Sequence, residues 1–255
     1  MATGRTVLKH ARFYVDGYDL SGLARTFGPL LWDYPTADLT TLTDEVKGGL
    51  SGQPNISVGT LRTVLTNTAS GIHAAVEEAG TARTVMAPIG IRAAPAAGDP
   101  VFVGVFQQGA YKLVEEEGAA ILNIPFSGWN INNLISYDKP WADLVHAHGA
   151  ETAVNSGTAD VDGAASSSKG GYGVLQVFAG NGTCTFSIEH SGTNTDGAFD
   201  SAGDLLAFDT TDATVPRAEI KSLGKTATVN RYLRWQISLG TATTVTFAIA
   251  FVRGT

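Results

Sequence analysis

The chain has 255 residues, 44% of them hydrophobic, so it is long enough to bury a full core. Its formal net charge is −7, which argues against tight binding to nucleic acid because that affinity depends on lysine and arginine side chains. No apolar run reaches the roughly 20 residues needed to cross a bilayer, and the N-terminal residues do not resemble a signal peptide, so we expect no membrane partner.

The N-terminal part of the chain begins with a predicted hairpin. Asp16-Gly17 stands between β-prone residues, and a type I′ turn needs positive φ at both of its central positions. Asp16 and Asp19 could also form a small acidic site. We favour the turn and assign Asp16 and Gly17 to it.

A long loop is predicted to follow, from Asp33 to Gly52, because no periodic pattern of apolar residues runs through it. Loops of about twenty residues inside a compact domain are usually functional or disordered. This one contains apolar residues, which suggests that it becomes ordered against another subunit. The residues that we expect at this contact are Asp33, Tyr34, Leu39, Leu42, Val46 and Leu50.

One helix and several strands are predicted after the loop. The strand over 54–66 changes its alternation at Gly59, which indicates a β-bulge. The next segment, 68–79, carries an apolar stripe on one face and is predicted to be the one helix of the chain. The stripe consists of Ile72, Ala75 and Val76. Further strands are predicted at 81–91, 101–106, 109–114 and 119–126.

The C-terminal part has the pattern of an antiparallel β-sandwich. Residues 151–170 are small, polar and glycine-rich, as in a linker or a long inter-strand loop. Beyond them the alternation is regular. The apolar rows are Cys184, Phe186 and Ile188; Val229, Leu233, Trp235, Ile237 and Leu239; and Val245, Phe247, Ile249 and Phe251. We therefore predict a mainly β protein with two domains, residues 1–150 and a surface-exposed sandwich over 151–255.

The strongest candidate for a metal site is the sequence HAHGAE. On a regular strand His146 and His148 point to the same face, and imidazole nitrogens suit zinc, nickel or copper. A site also needs a third ligand, and none of the other histidines has a ligand-like neighbour in the sequence. We interpret the pair as a chance occurrence on an exposed face. The acidic stretch from Asn194 to Asp204 lacks the spacing of an EF-hand, and we interpret it as a polar loop.

The sequence carries no recognisable catalytic motif. It has neither the Gly-x-Ser-x-Gly motif of a nucleophilic serine nor a phosphate-binding glycine-rich loop. Its single cysteine, Cys184, falls on the apolar side of its strand, which predicts a small buried hydrophobic side chain rather than a reactive thiolate. We therefore expect no catalytic residues, no cofactor and no enzymatic activity.

Five segments in the N-terminal half resemble the major tail proteins, or tail tube proteins, of long-tailed bacteriophages. The resemblance covers about the first 140 residues and lies in the order of a hairpin, a long loop, a strand, a helix and further strands. The segments are YVDGYDLSG (14–22), ADLTTLTDEVKGGLSG (37–52), NISVGTLRTVL (55–65), GDPVFVGVF (98–106) and AAILNIPFSGW (119–129). The C-terminal segment 230–253 is similar to the β-sandwich that is added to many virion proteins.

The resemblance implies a barrel-like N-terminal domain flanked by one helix, which assembles into six-fold rings that stack into a tube. The sheets of adjacent subunits would join around the lumen, and the loop over 33–52 would contact a neighbouring subunit or ring. DNA would pass through an acidic or neutral lumen without specific binding. Other partners would be tail proteins such as the tape measure and the tail terminator. The protein would be made in the cytoplasm of the host bacterium and end in the tail of the virion.

Two other functions are consistent with the sequence. The chain could be a capsid decoration, a head fibre or a receptor- or glycan-binding virion protein, with the C-terminal sandwich as the binding module. It could also be a glycan-binding or metal-dependent enzyme that uses His146 and His148.

Overall fold

The computed structural model describes residues 10–38, 49–51, 54–66, 71–91, 93–128, 137, 139–155 and 157–254. This part of the chain is mainly β, as predicted, with antiparallel sheets, a half-barrel and two helices. The helices are α1 (Ile72–Val76) and α2 (Asp196–Ala202). The strands before residue 130 are β1 (Tyr14–Val15), β2 (Tyr18–Asp19), β3 (Ala24–Thr26), β4 (Leu31–Asp33), β5 (Thr36–Asp38), β6 (Gly49–Ser51), β7 (Asn55–Ser57), β8 (Gly59–Val64), β9 (Ala82–Pro88), β10 (Pro100–Gln108), β11 (Lys112–Glu116) and β12 (Ala119–Ser127). The later strands are β13 (Trp141–Glu151), β14 (Val161–Asp162), β15 (Gly171–Gly180), β16 (Thr183–Ser191), β17 (Asp204–Ala207), β18 (Thr211–Asp212), β19 (Arg217–Ser222), β20 (Tyr232–Ser238) and β21 (Val245–Arg253).

Twelve strands form one large sheet and five form a smaller one. The large sheet runs in the order β19-β15-β21-β13-β10-β12-β8-β3, with β11 added to β12 and with the β1–β2 hairpin joined through β9 to β10. The small sheet runs in the order β14-β20-β16-β17, with β18 on β16. β13 ends beside the predicted domain boundary and pairs with β21, so the large sheet contains strands from both sides of residue 150.

Three apolar cores lie between the layers of the structure. Several strands of the large sheet contribute to two of these cores, because they are buried on both faces. The first core lies between β15 and β21 and the two central strands of the small sheet, β16 and β20. The second lies between β9–β10 and β8–β12, and α1 packs against it. The third lies between the β15–β21 layer and the β9–β10 layer. Along β21, Phe247 and Ile249 face the first core, whereas Ala248 and Ala250 face the third.

The helix predicted over 68–79 is shorter in the structure. α1 covers only Ile72–Val76, and the three residues of its apolar stripe are buried. Residues 77–80 beyond it are exposed, so they have no apolar surface to bury by continuing the helix. Residues 67–70 lie outside the described residues.

The polar loop that we inferred between Asn194 and Asp204 is instead a second helix, α2. Its one large apolar side chain, Phe199, is fully buried, and Gly203, with φ of 75°, follows the last helical residue. A single large apolar residue in two turns gives no clear helical period, which is why the sequence pattern did not reveal this helix.

The segment predicted to be a loop over 33–52 carries strands. β4 pairs with β7 and β5 pairs with β6, so the described residues between 31 and 57 form an antiparallel ribbon, which we call the arm. The prediction of a loop is therefore wrong for 36–38 and 49–51, whose strands are too short to give a sequence signal. Of the expected contact residues, Leu50 lies in β6, and those outside the described residues are Leu39, Leu42 and Val46.

Candidate functional site

In the part of the chain that the structure describes, the β3-β8-β12-β11 section of the large sheet has two free edges, and we call it the edge sheet. Among the described residues, β3 pairs only with β8 and β11 pairs only with β12. All three pairings in this section are antiparallel, so β3 and β11 run in opposite directions. The free backbone groups of an edge strand are a template for pairing with another chain.

One face of the edge sheet is buried in the second core, and the other carries a polar row beside an apolar row that consists of Val64, Ile121 and Val114. On one face, Leu122 and Ile124 are buried in the second core. On the other face, Arg62 of β8, Asn123 of β12 and Lys112 of β11 lie in one cross-strand row. We call this second face the polar face.

On the polar face, one carboxylate holds two arginines. The oxygens of Glu116 accept hydrogen bonds from Nη2 of Arg62 at 2.6 and 2.7 Å, and one of them lies 3.4 Å from Nη1 of Arg25. All three side chains are 41% exposed, so solvent ions reach the network. Lys112 is exposed and has no ion pair among the described residues. Arg25, Arg62 and Glu116 are far apart in the sequence, and no sequence pattern pointed to this cluster.

The arm projects two aromatic side chains into solvent. Trp32 is 38% exposed and Tyr34 is 42% exposed, and their ring centroids are 6.2 Å apart. The base of the arm is fixed to the body, because Ile56 and Val58 are buried in the second core. The arm is therefore an anchored element whose aromatic surface is left partly uncovered.

The structure places Asp16 and Gly17 in the turn between β1 and β2, with φ of 48° and 85°. The Asp16 carboxylate accepts a hydrogen bond from the backbone N–H of Thr84 at 2.8 Å and one from Arg83 at 3.2 Å. Burial raises the pKa of this carboxyl above its ordinary value, and both hydrogen bonds oppose the rise. These contacts tie the turn to β9, and each oxygen of the Asp16 carboxylate accepts one of the two hydrogen bonds.

His146 is buried in the first core rather than exposed. Its Nε2 lies 3.0 Å from a carboxylate oxygen of Glu151, and its ring stacks on Phe247 with centroids 4.1 Å apart. Burial lowers the pKa of His146, although the carboxylate of Glu151 works in the opposite direction.

His148 faces the other side of the sheet. Its ring lies 4.4 Å from Phe178 and 5.8 Å from Tyr14, which belong to the third core or pack against it. The expectation that both histidines share a face is therefore wrong. The physical reason is that the pairing of β13 with β21 shifts register on both sides of His146, which breaks the two-residue alternation.

Arg234 on β20 is the most fully buried charged side chain of the small sheet. Its side chain is 1% exposed and pairs with Glu189, with Asp196 and, at 2.8 Å, with Asp200. The guanidinium also lies 4.7 Å from the ring centroid of Phe199. Asp196 and Asp200, which belong to the acidic stretch from Asn194 to Asp204, thus bind an arginine and fix α2 to the sheet.

No metal or nucleophile site emerges from the described residues. They contain no group of three or more His, Cys, Asp and Glu side chains that could hold a metal ion. Burial raises the pKa of the Cys184 thiol to about 11, so the thiol is protonated at neutral pH. In the described part of the chain, no helix has the length and apolar character to span a bilayer.

Comparison with known proteins gives few matches. No protein-family model matches the chain, and no curated protein matches it. Among solved structures, the chain is similar to the SPP1 Dit (gp 19.1) protein, described as a paradigm of the hub adsorption apparatus in phages that infect Gram-positive bacteria. The two are 10% identical, the match covers 94% of this chain and 98% of that one, and the TM-score is 0.33. At this level of similarity, function has to be argued from the surfaces of the chain itself.

Proposed function

We propose that the chain is a structural virion protein without catalytic activity, which assembles into rings that stack into the tail tube of a long-tailed bacteriophage and form a conduit for DNA. The observation that carries this proposal is the pair of free, oppositely directed edges on the edge sheet. The order of the N-terminal segments, which resembles that of tail tube proteins, supports the same function.

The two edges suit a head-to-tail contact between copies. β11 of one copy would lie beside β3 of the next, and the new pairing would be antiparallel like those inside the edge sheet. A contact between two different surfaces repeats from copy to copy, and it produces a closed ring when the rotation between copies closes. Six copies per ring is the number that the resemblance implies. Leu122 and Ile124 of the apolar face are already buried in the second core, so the polar face would line the channel.

The arm supplies a second contact. Covering Trp32 and Tyr34 with a neighbouring copy would remove partly exposed aromatic surface from water, which favours association. Because the arm is anchored in the second core, it can make this contact without rearrangement of the body. We assign it to the contact between neighbouring subunits or stacked rings.

Electron microscopy of the purified protein tests the proposal. We expect rings or tubes for the wild type and a folded monomer for Leu113→Lys, because a lysine on an edge strand opposes pairing with a second edge. Leu113 is 53% exposed, so the monomer should tolerate the change. Val154→Lys, at a residue that is 58% exposed outside the edge sheet, is the matched control and should still form rings.

Two outcomes would contradict this function. The first is a wild-type protein that stays monomeric at high concentration. The second is labelling of the protein on the capsid of intact particles, which would favour a decoration or head-fibre function.

A further inference from the structure

The polar face of the edge sheet has a charge that differs from that of the whole chain. The chain has a formal net charge of −7, whereas Arg25, Arg62, Lys112 and Glu116 together contribute three positive charges and one negative charge. Arg62 and Lys112 lie in one row with β12 between their strands, which places their backbones about 10 Å apart. The resemblance implies an acidic or neutral lumen, whereas these four side chains together carry a net positive charge.

We propose that the polar face is a contact surface for the phosphate backbone of duplex DNA, and that Glu116 keeps the contact weak by occupying the guanidinium groups of Arg25 and Arg62. The choice of DNA rests on the proposed function, since a channel lined by this face would carry DNA. The role of Glu116 rests on the ion pairs themselves.

Glu116 is placed to compete with phosphate for the hydrogen-bond donors of the two arginines. A guanidinium donates two parallel hydrogen bonds to a carboxylate or to a phosphate, so one anion excludes the other from the same donors. Nη2 of Arg62 donates to both oxygens of Glu116, and one of these oxygens also faces Arg25. A phosphate that binds through these same donors must therefore displace Glu116.

The exposure of the network makes that displacement feasible. Each of the three side chains is 41% exposed, and ion pairs in contact with solvent are weak. Lys112 remains open to a phosphate whether or not Glu116 is displaced. The result is a surface with few and replaceable phosphate contacts, past which a polyanion can move.

Fluorescence anisotropy with a short labelled DNA duplex at low salt tests the inference, and Glu116→Gln is the informative variant. Removing the carboxylate charge frees both guanidiniums, and we expect binding about fivefold tighter than for the wild type. The logarithm of affinity should then fall against the logarithm of salt concentration with a slope of about −3, as three phosphate contacts imply, and the slope should be shallower for the wild type.

Glu78→Gln is the matched control. It makes the same change in net charge at an exposed residue after α1, which packs on the opposite, apolar face. Its affinity for DNA should stay within twofold of the wild-type value. Lys112→Ala is a second variant that breaks no ion pair among the described residues, and it should weaken wild-type binding.

The inference is overturned if Glu116→Gln, shown to be folded by circular dichroism, binds DNA no more tightly than Glu78→Gln. It is also overturned if Lys112→Ala leaves binding unchanged. Tighter binding by Glu116→Gln without any rings in the electron microscope would support the DNA contact and contradict the tube, so the two proposals fail separately. Equal tightening toward heparin would show a general polyanion surface and would contradict the assignment to DNA.

Discussion

The backbone N–H of Gly17 donates a 2.5 Å hydrogen bond to Oε1 of Gln176, a buried side chain 159 residues further along the chain. Nε2 of the same amide donates to the carbonyl of Thr84 at 3.1 Å. One side chain of β15 therefore joins the N-terminal hairpin to β9, and it does so inside the third core.

Gln176→Leu should destabilise the protein by about 2 kcal/mol, because it leaves the buried N–H of Gly17 without an acceptor. The carbonyl of Thr84 keeps a second donor, the N–H of Asp16, so only one group loses its partner. Urea unfolding measures the change. Gln107→Leu is the control, since its amide donates to the carbonyl of the exposed Gly80, which water can satisfy. Equal effects of the two substitutions would contradict the prediction.

Gly17→Ala should destabilise the protein by about 3 kcal/mol or more, because two separate penalties add. The residue has φ of 85°, and a Cβ there would lie 2.2 Å from the backbone nitrogen of Arg217 and 2.4 Å from the carbonyl oxygen of Val177. Gly118→Ala separates the two effects. Gly118 has φ of 76°, but a Cβ there has nothing within 4 Å, so its substitution should cost about 1 kcal/mol. A loss at Gly17 no larger than that at Gly118 would show that the close approach of the chains does not limit stability.

Arg234→Met should lower the free energy of unfolding by about 3 kcal/mol and release α2. The substitution leaves the largely buried carboxylate of Glu189 without its cation and removes the partner of Asp196 and Asp200. Limited proteolysis should then cleave between residues 192 and 203. Arg231→Met is the control. It breaks an exposed pair with Asp162 and should change stability much less than Arg234→Met does. Full protection of α2 in Arg234→Met would contradict the assigned role of this cluster.

Asp160→Asn should stabilise the protein at pH 7 and have little effect at pH 4. Burial raises the pKa of Asp160 to about 6 from 3.8, so the folded state prefers the protonated carboxyl, and stability is lost as the pH rises through 6. An asparagine oxygen can still accept the hydrogen bonds from Asn155 and from the N–H of Trp235. With allowance for partial exposure, we expect a gain of about 1 kcal/mol at pH 7.

Thermal unfolding between pH 4 and pH 8 measures this effect, and Asp162→Asn is the comparison. The hydrogen-bonded guanidinium of Arg231 lowers the pKa of Asp162 to about 2, so ionised Asp162 favours the folded state and its removal should act in the opposite direction. Two variants with the same sign at pH 7 would contradict the assignment for Asp160.

The parts of the fold that follow from the sequence are those governed by regular alternation. Phe186, Trp235 and Phe247 lie on predicted apolar rows, and all three face the first core. The Asp16-Gly17 turn could also be predicted, because the positive φ that a type I′ turn requires depends on the two turn residues themselves. Where register shifts intervene, as on both sides of His146, the two-residue period no longer assigns a face.

The surfaces that we consider functional could not be predicted in this way. Arg25, Arg62 and Glu116 come together only through the order of β3, β8, β12 and β11, and that order depends on pairings across the whole N-terminal half. Similarly, Arg234 lies between Leu233 and Trp235 of a predicted apolar row, so the two-residue alternation places it on the opposite face. It is buried because α2, which has no helical signature in the sequence, covers it.

The β15–β21 layer lies between the first and third cores, and the chain should therefore tolerate insertions less well there than outside the strands. Along β21, large side chains such as Phe247 serve the first core, and alanines such as Ala248 serve the third. One extra residue within this strand would exchange the two sets, placing rings where the third core has room only for methyl groups. The segment between β16 and α2 is not a strand, so its side chains do not have to alternate between two cores. A Cβ at Gly192 in this segment meets nothing within 4 Å, so there is room for added residues. A tag or loop inserted there should leave the side chains of all three cores in place.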